Sequence, residues 1–298
     1  MDRIRVFGAT TVVVGGREVT GPALGGIKPR QVLELLALAG GAPVSKDRLV
    51  DLLWGEDAPA SARATLESYV CVARRAIAPG GSGRSSVVQT TCAGYRLDTS
   101  RITVDLGECR ALLSRASTAP AAECVRLVRR ALVLSEHPLL ATESRAGWAD
   151  LERDAFGHGL AAACTTAARA ALTLGDTDAG LELSERAAGL APLDEAAVRI
   201  RMAALVGSGR RAEAIECFLA LRRRLVGELG VEPEPATRSA YVDLLTDRSD
   251  EPGRHPTRGE VSGLLELLRE TLTRVPGLDP GPVERALAGV ASQALQLL

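Results

Sequence analysis

The stretch RATLESYVCVARRAIA, residues 63–78, is the part of the sequence on which the N-terminal fold depends. Its aliphatic side chains recur at steps of four, three and four residues, at Leu66, Val70, Ala73 and Ile77, so they share one face of an α-helix. The opposite face carries Thr65, Ser68, Cys71, Val72 and Arg75, and Arg74 and Glu67 lie at its edges. A face of small polar groups with one arginine can enter a major groove, although a lone helix of this kind is more often an ordinary surface helix.

Two further helices are predicted upstream of this one. The stretch KPRQVLELLALAGG (28–41) has a proline near its start and two glycines at its end, which is typical of a helix. The stretch SKDRLVDLLWG (45–55) is predicted to begin at the capping residue Ser45 and to end at Gly55. The stretch 63–78 is therefore the third helix of a group.

Predicted β-structure flanks the three helices. Short β-rich runs at 3–7 and 10–14 come first, and Gly15-Gly16 indicates a turn after them. After the helices, VVQTTCAGYRL (87–97) predicts a β-hairpin that turns at Cys92-Ala93-Gly94. Strands, three helices and a hairpin in this order are typical of a winged helix, which favours the DNA-reading interpretation of the third helix.

The charge distribution agrees with contact to a polyanion. The whole chain has a net charge of −1, but residues 1–100 carry twelve basic and nine acidic side chains. Within 63–96 there are five arginines and one acid, Glu67. Attraction to phosphate is local and screened by salt, so a local positive zone suits DNA binding even on a nearly neutral protein.

From about Val104 onward the sequence predicts only helices. They are expected at 105–116, 121–134, 147–174, 178–190, 194–207, 210–228 and 234–246, and the long one is expected to break near Gly157 or Gly159. GDTDAGLELSERAAGLAP, from Gly175, and GRRAEAIECFLALRRRL, from Gly209, are offset by 34 residues, which is the tetratricopeptide period. The predicted fold is mainly α with a small α+β N-terminal domain: a winged helix-turn-helix followed by a tetratricopeptide-like α-helical repeat domain.

Several stretches carry a family resemblance. GGIKPRQVLELLAL, VSKDRLVDLLWG, ATLESYVCVARRAI and TTCAGYRLD resemble the DNA-binding domain of the Streptomyces antibiotic regulatory proteins, which is similar to OmpR-type winged helices. Trp148, PLDEAAVR and GELGVEPEPATR resemble the bacterial transcriptional activator domain of the same family. The expected domains are a winged helix at 1–100, an activator domain at 104–246, a linker at 247–260 and a C-terminal helical pair at 261–298.

The resemblance implies roles for named residues. It implies that the helix from Ala64 to Ala78 reads the major groove and that the hairpin from Thr90 to Arg96 touches the adjacent minor groove or its phosphates. The candidate DNA contacts are Lys28, Arg30, Lys46, Arg63, Thr65, Ser68, Cys71, Val72, Arg74, Arg75, Thr90, Thr91 and Arg96. The loop after Trp54, with Gly55, Glu56 and Asp57, is implied to face RNA polymerase. Many relatives have arginine where this chain has Val72. This departure bears on which DNA sequence the protein prefers more than on whether it binds DNA.

The resemblance also implies a function. We expect a transcriptional activator of a secondary-metabolite, or antibiotic, gene cluster that binds tandem direct repeats in double-stranded promoter DNA as a homodimer. It would recruit RNA polymerase through the sigma or alpha subunit. Two alternatives stay open: an adaptor whose winged helix binds protein, and a repressor that blocks the promoter. The repeat domain suits a partner surface and a dimer contact equally, and residues 261–298 suit capping of the repeat slightly better than partner binding or dimerisation.

Other classes of function lack support in the sequence. There is no GxSxG, HExxH or phosphate-loop motif, so we expect no enzyme and no cofactor. The six cysteines and three histidines are scattered, so we expect no metal site. The N-terminus lacks the apolar stretch of a signal peptide, and no run of about 18 apolar residues exists, so we expect a cytoplasmic protein with no membrane contact.

Overall fold

A small sheet is built from the first twenty residues of the chain and from residues 103–104. The computed structural model describes residues 2–77, 86–144, 146–246 and 263. Strands β1 (Arg3–Arg5), β2 (Thr11–Val14) and β3 (Arg17–Thr20) are antiparallel, and β6 (Thr103–Val104) pairs with β1 in parallel, so the order is β3-β2-β1-β6.

The turn between β2 and β3 depends on two glycines. Gly15 and Gly16 have φ values of 56° and 79°, a left-handed conformation that glycine adopts without steric cost. Strand β3 has no counterpart in the sequence prediction. Val19 is its one buried side chain, so REVT gives almost no alternating pattern.

The three predicted helices are present close to their expected bounds. They are α1 (Ile27–Leu38), α2 (Lys46–Trp54) and α3 (Ala62–Ile77). Ser45 caps α2 as predicted, because its side-chain oxygen accepts a hydrogen bond from the Arg48 amide at 3.1 Å. The hairpin is also present, as β4 (Val88–Thr91) and β5 (Gly94–Leu97). The N-terminal fold is thus the predicted winged helix.

Two helices of the predicted activator domain belong to the same compact unit as the winged helix. The chain forms two compact units, residues 1–157 and 158–298, so α4 (Asp105–Ala116) and α5 (Ala121–Leu134) belong to the first. The Asp105 carboxylate accepts hydrogen bonds from the Val6 and Phe7 amides at 2.9 and 3.2 Å. These contacts tie the start of α4 to the N-terminal strand region. The first compact unit extends past residues 100–104, where the sequence places the boundary between the two domains. That boundary stays a prediction.

Helix α6 (Gly147–Thr173) runs from the first unit into the second without interruption. The expected break near Gly157 or Gly159 is therefore wrong. A glycine inside a helix costs about 1 kcal/mol relative to alanine, and the alanine-rich sequence that follows these two favours continuation.

The second unit contains the predicted repeat. Its further helices are α7 (Thr177–Leu190), α8 (Glu195–Gly207), α9 (Arg211–Arg224) and α10 (Pro235–Thr246), with a π-turn over Leu225–Leu229. Gly175 and Gly209 occupy the predicted turns with φ values of 77° and 71°. A Cβ on Gly180 would lie 2.6 Å from Leu172 Cδ2, so the helices cross closely there as expected.

The two predicted core residues of the repeat are buried to different extents. Ile215 is fully buried, as is Ala214, whereas Leu181 is partly buried and packs against the same core cluster. The buried residues of α7 are Ala179, Gly180, Leu183, Ser184 and Ala187. The linker at 247–260 and the pair at 261–298 lie outside the described residues, except for Gly263. No helix among the residues that the structure describes is long and apolar enough to cross a bilayer.

Candidate nucleic-acid interface

Helix α3 lies with its aliphatic face inward. Leu66 and Ala73 are 0% exposed, and Val70 and Ile77 are 1% exposed. Across the helix Ser68, Cys71 and Arg75 are exposed, and Thr65 is half-buried. The face predicted to meet DNA is therefore the face that α3 presents to solvent.

Val72 lies between the exposed and buried faces. It is half-buried, and a Cβ on Gly25, in the loop before α1, would overlap its Cγ1 atom. Gly25 has a φ of 92°, so glycine is required there by conformation as well as by space. Part of the Val72 side chain therefore packs on the protein, and only the rest of it is available to a base.

Arg74 joins α3 to the hairpin. Its Nε atom donates to the Val88 carbonyl oxygen at 2.9 Å, and Nη2 donates to Thr90 Oγ1 at 2.8 Å. Its guanidinium lies 5.9 Å from the centre of the buried Tyr95 ring. Arg74 thus positions the hairpin. The sequence prediction assigned Arg74 to DNA contact and did not include these contacts within the protein.

Arg75 has the opposite surroundings. It is exposed, Nη2 lies 3.4 Å from Cys71 Sγ, and it forms no ion pair with any residue in the described ranges. An arginine without a carboxylate partner can turn its planar donor group to a phosphate or a guanine edge. Arg75 is therefore the arginine of α3 best placed to contact DNA.

Two ion pairs connect the start of α2 with α3. Lys46 Nζ lies 2.5 Å from Glu67 Oε1, and Arg63 Nη2 lies 2.5 Å from Asp47 Oδ1. The hydrogen bond between Lys46 and Glu67 raises the pKa of Lys46 and lowers that of Glu67. Exposed pairs of this kind contribute roughly 0–1 kcal/mol, so a phosphate can replace the carboxylate. Both cations stay available to DNA.

The hairpin is fixed to the chain before α2. Val44 and Tyr95 exchange two backbone hydrogen bonds, at 2.8 and 2.9 Å. A Cβ on Gly94 would overlap the Val44 carbonyl oxygen, and Gly94 has a φ of 135°, so this approach requires glycine. Thr90 and Arg96 are exposed and Thr91 is half-buried, while Arg96 is held by Gln89 Oε1 at 2.8 and 3.0 Å.

Tyr95 is the positioning residue that sequence reasoning missed. Its ring is buried and receives two cations, Lys46 at 5.7 Å and Arg74 at 5.9 Å. The ring thus joins the α2 start, α3 and the hairpin at one point. One feature of the sequence could have identified it: the chain has only three tyrosines, and one of them directly follows the hairpin glycine.

Lys28 holds the loop after α2 rather than projecting freely. Its Nζ donates to the Leu53 carbonyl and lies 5.7 Å from the centre of the Trp54 ring. Trp54 in turn stacks on Tyr69 at 5.9 Å with an angle of 17°. The next residues, Gly55–Asp57, form an exposed 3-10 turn with two acidic side chains. The loop is therefore acidic and accessible, and it follows a tryptophan that is held on both sides.

Arg30 lies in a buried cluster, so its assignment to DNA needs correction. Its side chain is 14% exposed and pairs with Glu143 and, at 3.2 Å, with Glu34. Gln31 donates to Glu143 at 2.6 Å, and Thr10 donates to Glu34 at 2.5 Å. Burial raises the pKa of Glu34 to about 7, with the Glu143 carboxylate adding to the rise. A guanidinium enclosed by two carboxylates does not reach a phosphate.

Comparison with known families covers both parts of the chain. The model described as "Transcriptional regulatory protein, C terminal" matches residues 25–97. The model described as "Bacterial transcriptional activator domain" matches residues 104–245. Within the residues that the structure describes, no group of three or more His, Cys, Asp or Glu side chains is arranged to hold a metal ion.

Similar proteins include several bacterial regulators. Regulatory protein DnrI of Streptomyces peucetius is 34% identical over 228 residues, which is 69% of this chain and 79% of DnrI. Transcriptional regulatory protein MoaR1 of Mycobacterium tuberculosis is 29% identical over 276 residues, 87% of this chain and 88% of MoaR1. Regulatory protein AfsR of Streptomyces coelicolor is 31% identical over 245 residues, 80% of this chain but 24% of AfsR.

A solved structure shows the same fold. Mycobacterium tuberculosis EmbR, in complex with a low-affinity phosphopeptide, aligns with a TM-score of 0.69 at 23% identity and covers 91% of this chain and 70% of EmbR. An OmpR-type winged helix joined to a bacterial transcriptional activator domain defines a class of DNA-binding transcription regulators. Within that class, this chain belongs to the Streptomyces antibiotic regulatory protein family.

Proposed function

We propose that this regulator activates transcription by placing α3 in the major groove of promoter DNA. The observation that carries the proposal is the inward packing of Leu66, Val70, Ala73 and Ile77, which leaves Ser68, Cys71 and Arg75 facing solvent. The hairpin β4–β5 touches the adjacent minor groove or its phosphates.

The proposed contacts divide by the surroundings of each side chain. Groove contacts come from Thr65, Ser68, Cys71, the free part of Val72, and Arg75. Phosphate contacts come from Lys46, Arg63, Thr90, Thr91 and Arg96. Arg74 and Lys28 position the hairpin and the loop after α2, and Arg30 is left out because it is buried in an ion-pair cluster.

Two protomers bind tandem direct repeats. Recognition helices that read the same face of DNA must lie about one helical turn, or 10–10.5 base pairs, apart. The family membership supports promoters of a secondary-metabolite gene cluster and action in the bacterial cytoplasm.

The acidic turn at Gly55–Asp57 contacts RNA polymerase. It is exposed, carries Glu56 and Asp57, and directly follows Trp54, whose ring stacks on Tyr69. Such a turn suits a basic surface of the sigma or alpha subunit. Since the turn precedes α3 in the chain, DNA binding at the promoter would bring it towards the polymerase.

Footprinting on the promoters of neighbouring genes, together with transcription by purified polymerase, tests the proposal. We expect protection of two direct repeats and increased transcript, and Arg75→Ala weakens both. Arg186→Ala, at an exposed arginine of α7 in the other compact unit, is the matched control and leaves both unchanged. Protection with reduced transcript indicates a repressor, and no protection of any such fragment favours an adaptor.

A further inference from the structure

A groove along α4 and α5 is not part of the DNA-binding surface. It encloses about 790 Å³ and is lined from both helices and from Arg3 of β1. All of its lining residues lie in the first compact unit. The proposed contacts with DNA and polymerase use α2, α3, the hairpin and the acidic turn, so this groove needs a separate explanation.

The groove has an apolar lining, which we call its floor and which includes an exposed valine: Ala111, Leu112, Ala122, Val125, Val133 and Leu134. Val133 is 75% exposed and lies on the side of α5 opposite the buried Cys124, Leu127, Val128 and Ala131. Val125 and Leu134 are half-buried beside it. Burying an exposed valine of this kind contributes roughly 1.5 kcal/mol or more, so the floor favours an apolar occupant.

The rim of the groove is strongly basic. Five arginines line it, Arg3, Arg115, Arg126, Arg129 and Arg130, against one acid, Glu108. Arg3 pairs with Glu108 at 2.5 Å, and Glu123 outside the groove pairs with Arg126 at 2.5 Å and with Arg115 at 3.7 Å. Arg130 is exposed and forms no ion pair within the described part of the chain. Arg130 therefore leaves positive charge on the rim for an occupant.

We propose that this groove binds an amphipathic helix of a partner protein, with an apolar stripe towards Val133 and acidic side chains towards the arginines. An apolar floor between two helices suits the apolar stripe of a third helix. Duplex DNA offers phosphates to the rim but no apolar surface to the floor. Because the rim is basic, the partner helix must be acidic: its carboxylates stabilise the complex, whereas lysines in their place would be repelled by the arginines.

A designed peptide tests the groove on the full chain. The probe is a fluorescent helix of about 16 residues, enough to follow α5 along its length, with a leucine stripe flanked by glutamates. A second peptide keeps the stripe and replaces each glutamate with lysine. We expect saturable anisotropy changes with the acidic peptide, and at least tenfold weaker binding of the basic one.

Two variants locate the binding. Val133→Glu places a carboxylate on the floor, and Arg130→Glu reverses a charge of the rim; each weakens the acidic peptide at least tenfold. Leu151→Glu is the matched control, since Leu151 on α6 is 73% exposed but outside the groove. Equal unfolding midpoints show that all three variants fold. The proposal is overturned if the acidic and basic peptides bind equally well. It is also overturned if Val133→Glu weakens peptide binding no more than Leu151→Glu does. The proposal is also overturned if Val133→Glu loses promoter binding or self-association but still binds the acidic peptide.

Discussion

Arg74 donates a hydrogen bond of 2.8 Å to Thr90 Oγ1, so helix α3 itself holds the hairpin in place. The same guanidinium donates to the Val88 carbonyl oxygen at 2.9 Å and lies over the Tyr95 ring. Arg75, the next residue, is exposed and unpaired with any carboxylate among the described residues. Two adjacent arginines of the same motif therefore have different surroundings: Arg74 positions the hairpin, and we propose that Arg75 contacts DNA.

Arg74→Ala tests the positioning role. We expect promoter affinity to fall about tenfold, because removing hydrogen bonds from a charged donor costs roughly 1.5 kcal/mol or more. Amide hydrogen exchange in β4 and β5 should become faster at the same time. Arg75→Ala is the control: it lowers affinity but leaves exchange in the hairpin unchanged. Equal exchange in the two variants would contradict the separation of roles.

We expect Glu67 to compete with DNA for Lys46. Because Lys46 and Glu67 pair at 2.5 Å on the proposed interface, Glu67→Ala frees the ammonium and removes a negative charge that repels phosphate. From the range for exposed pairs we expect affinity to rise about two- to fivefold in a gel-shift titration at low salt. Glu213→Ala breaks a comparable pair with Arg210, at 2.6 Å in the second unit, and should leave affinity unchanged. A weaker complex with Glu67→Ala would show that Glu67 accepts a hydrogen bond from DNA instead.

Gly94→Ala should destabilise the first unit. A Cβ at this position overlaps the Val44 carbonyl oxygen and approaches Ser45 Cα at 2.8 Å, and the φ of 135° is strained for alanine. We expect a loss of about 2 kcal/mol or more in urea unfolding followed by tryptophan fluorescence. Gly157→Ala, with open space around it inside α6, should instead add about 0.5–1 kcal/mol. A neutral Gly94→Ala would mean that the hairpin is not held against Val44.

The buried cluster around Arg30 makes stability depend on pH. The pKa of Glu34 is raised from 4.5 to about 7, mainly by burial. The folded state then binds more protons than the unfolded state between these values, so stability falls as pH rises from about 4.5 to about 7. Glu34→Gln removes this dependence and should be the more stable protein at pH 8, by up to about 3 kcal/mol, but not at pH 5. Urea unfolding at the two pH values measures the difference. Identical pH profiles for the two proteins would contradict the raised pKa of Glu34.

The sequence was sufficient for features that depend on local periodicity. The wheel of 63–78 gave the buried face of α3 residue by residue, and the capping pattern gave the start of α2 at Ser45. It could not give the partners of Arg74, because they depend on how the hairpin packs against α3. It also misassigned Arg30, because Glu143 lies 113 residues further along the chain and no local pattern connects them.

The most direct test of the central claim uses the natural cysteines as probes of α3 and the hairpin. Cys71 on α3 and Cys92 at the hairpin turn are exposed, Cys217 in the second unit is partly exposed, and Cys109, Cys124 and Cys164 are buried. We expect promoter DNA to slow alkylation of Cys71 at least tenfold and of Cys92 to a smaller extent, while Cys217 reacts at an unchanged rate. If Cys71 reacts equally fast with and without saturating promoter DNA, α3 does not lie in the groove and the account is wrong.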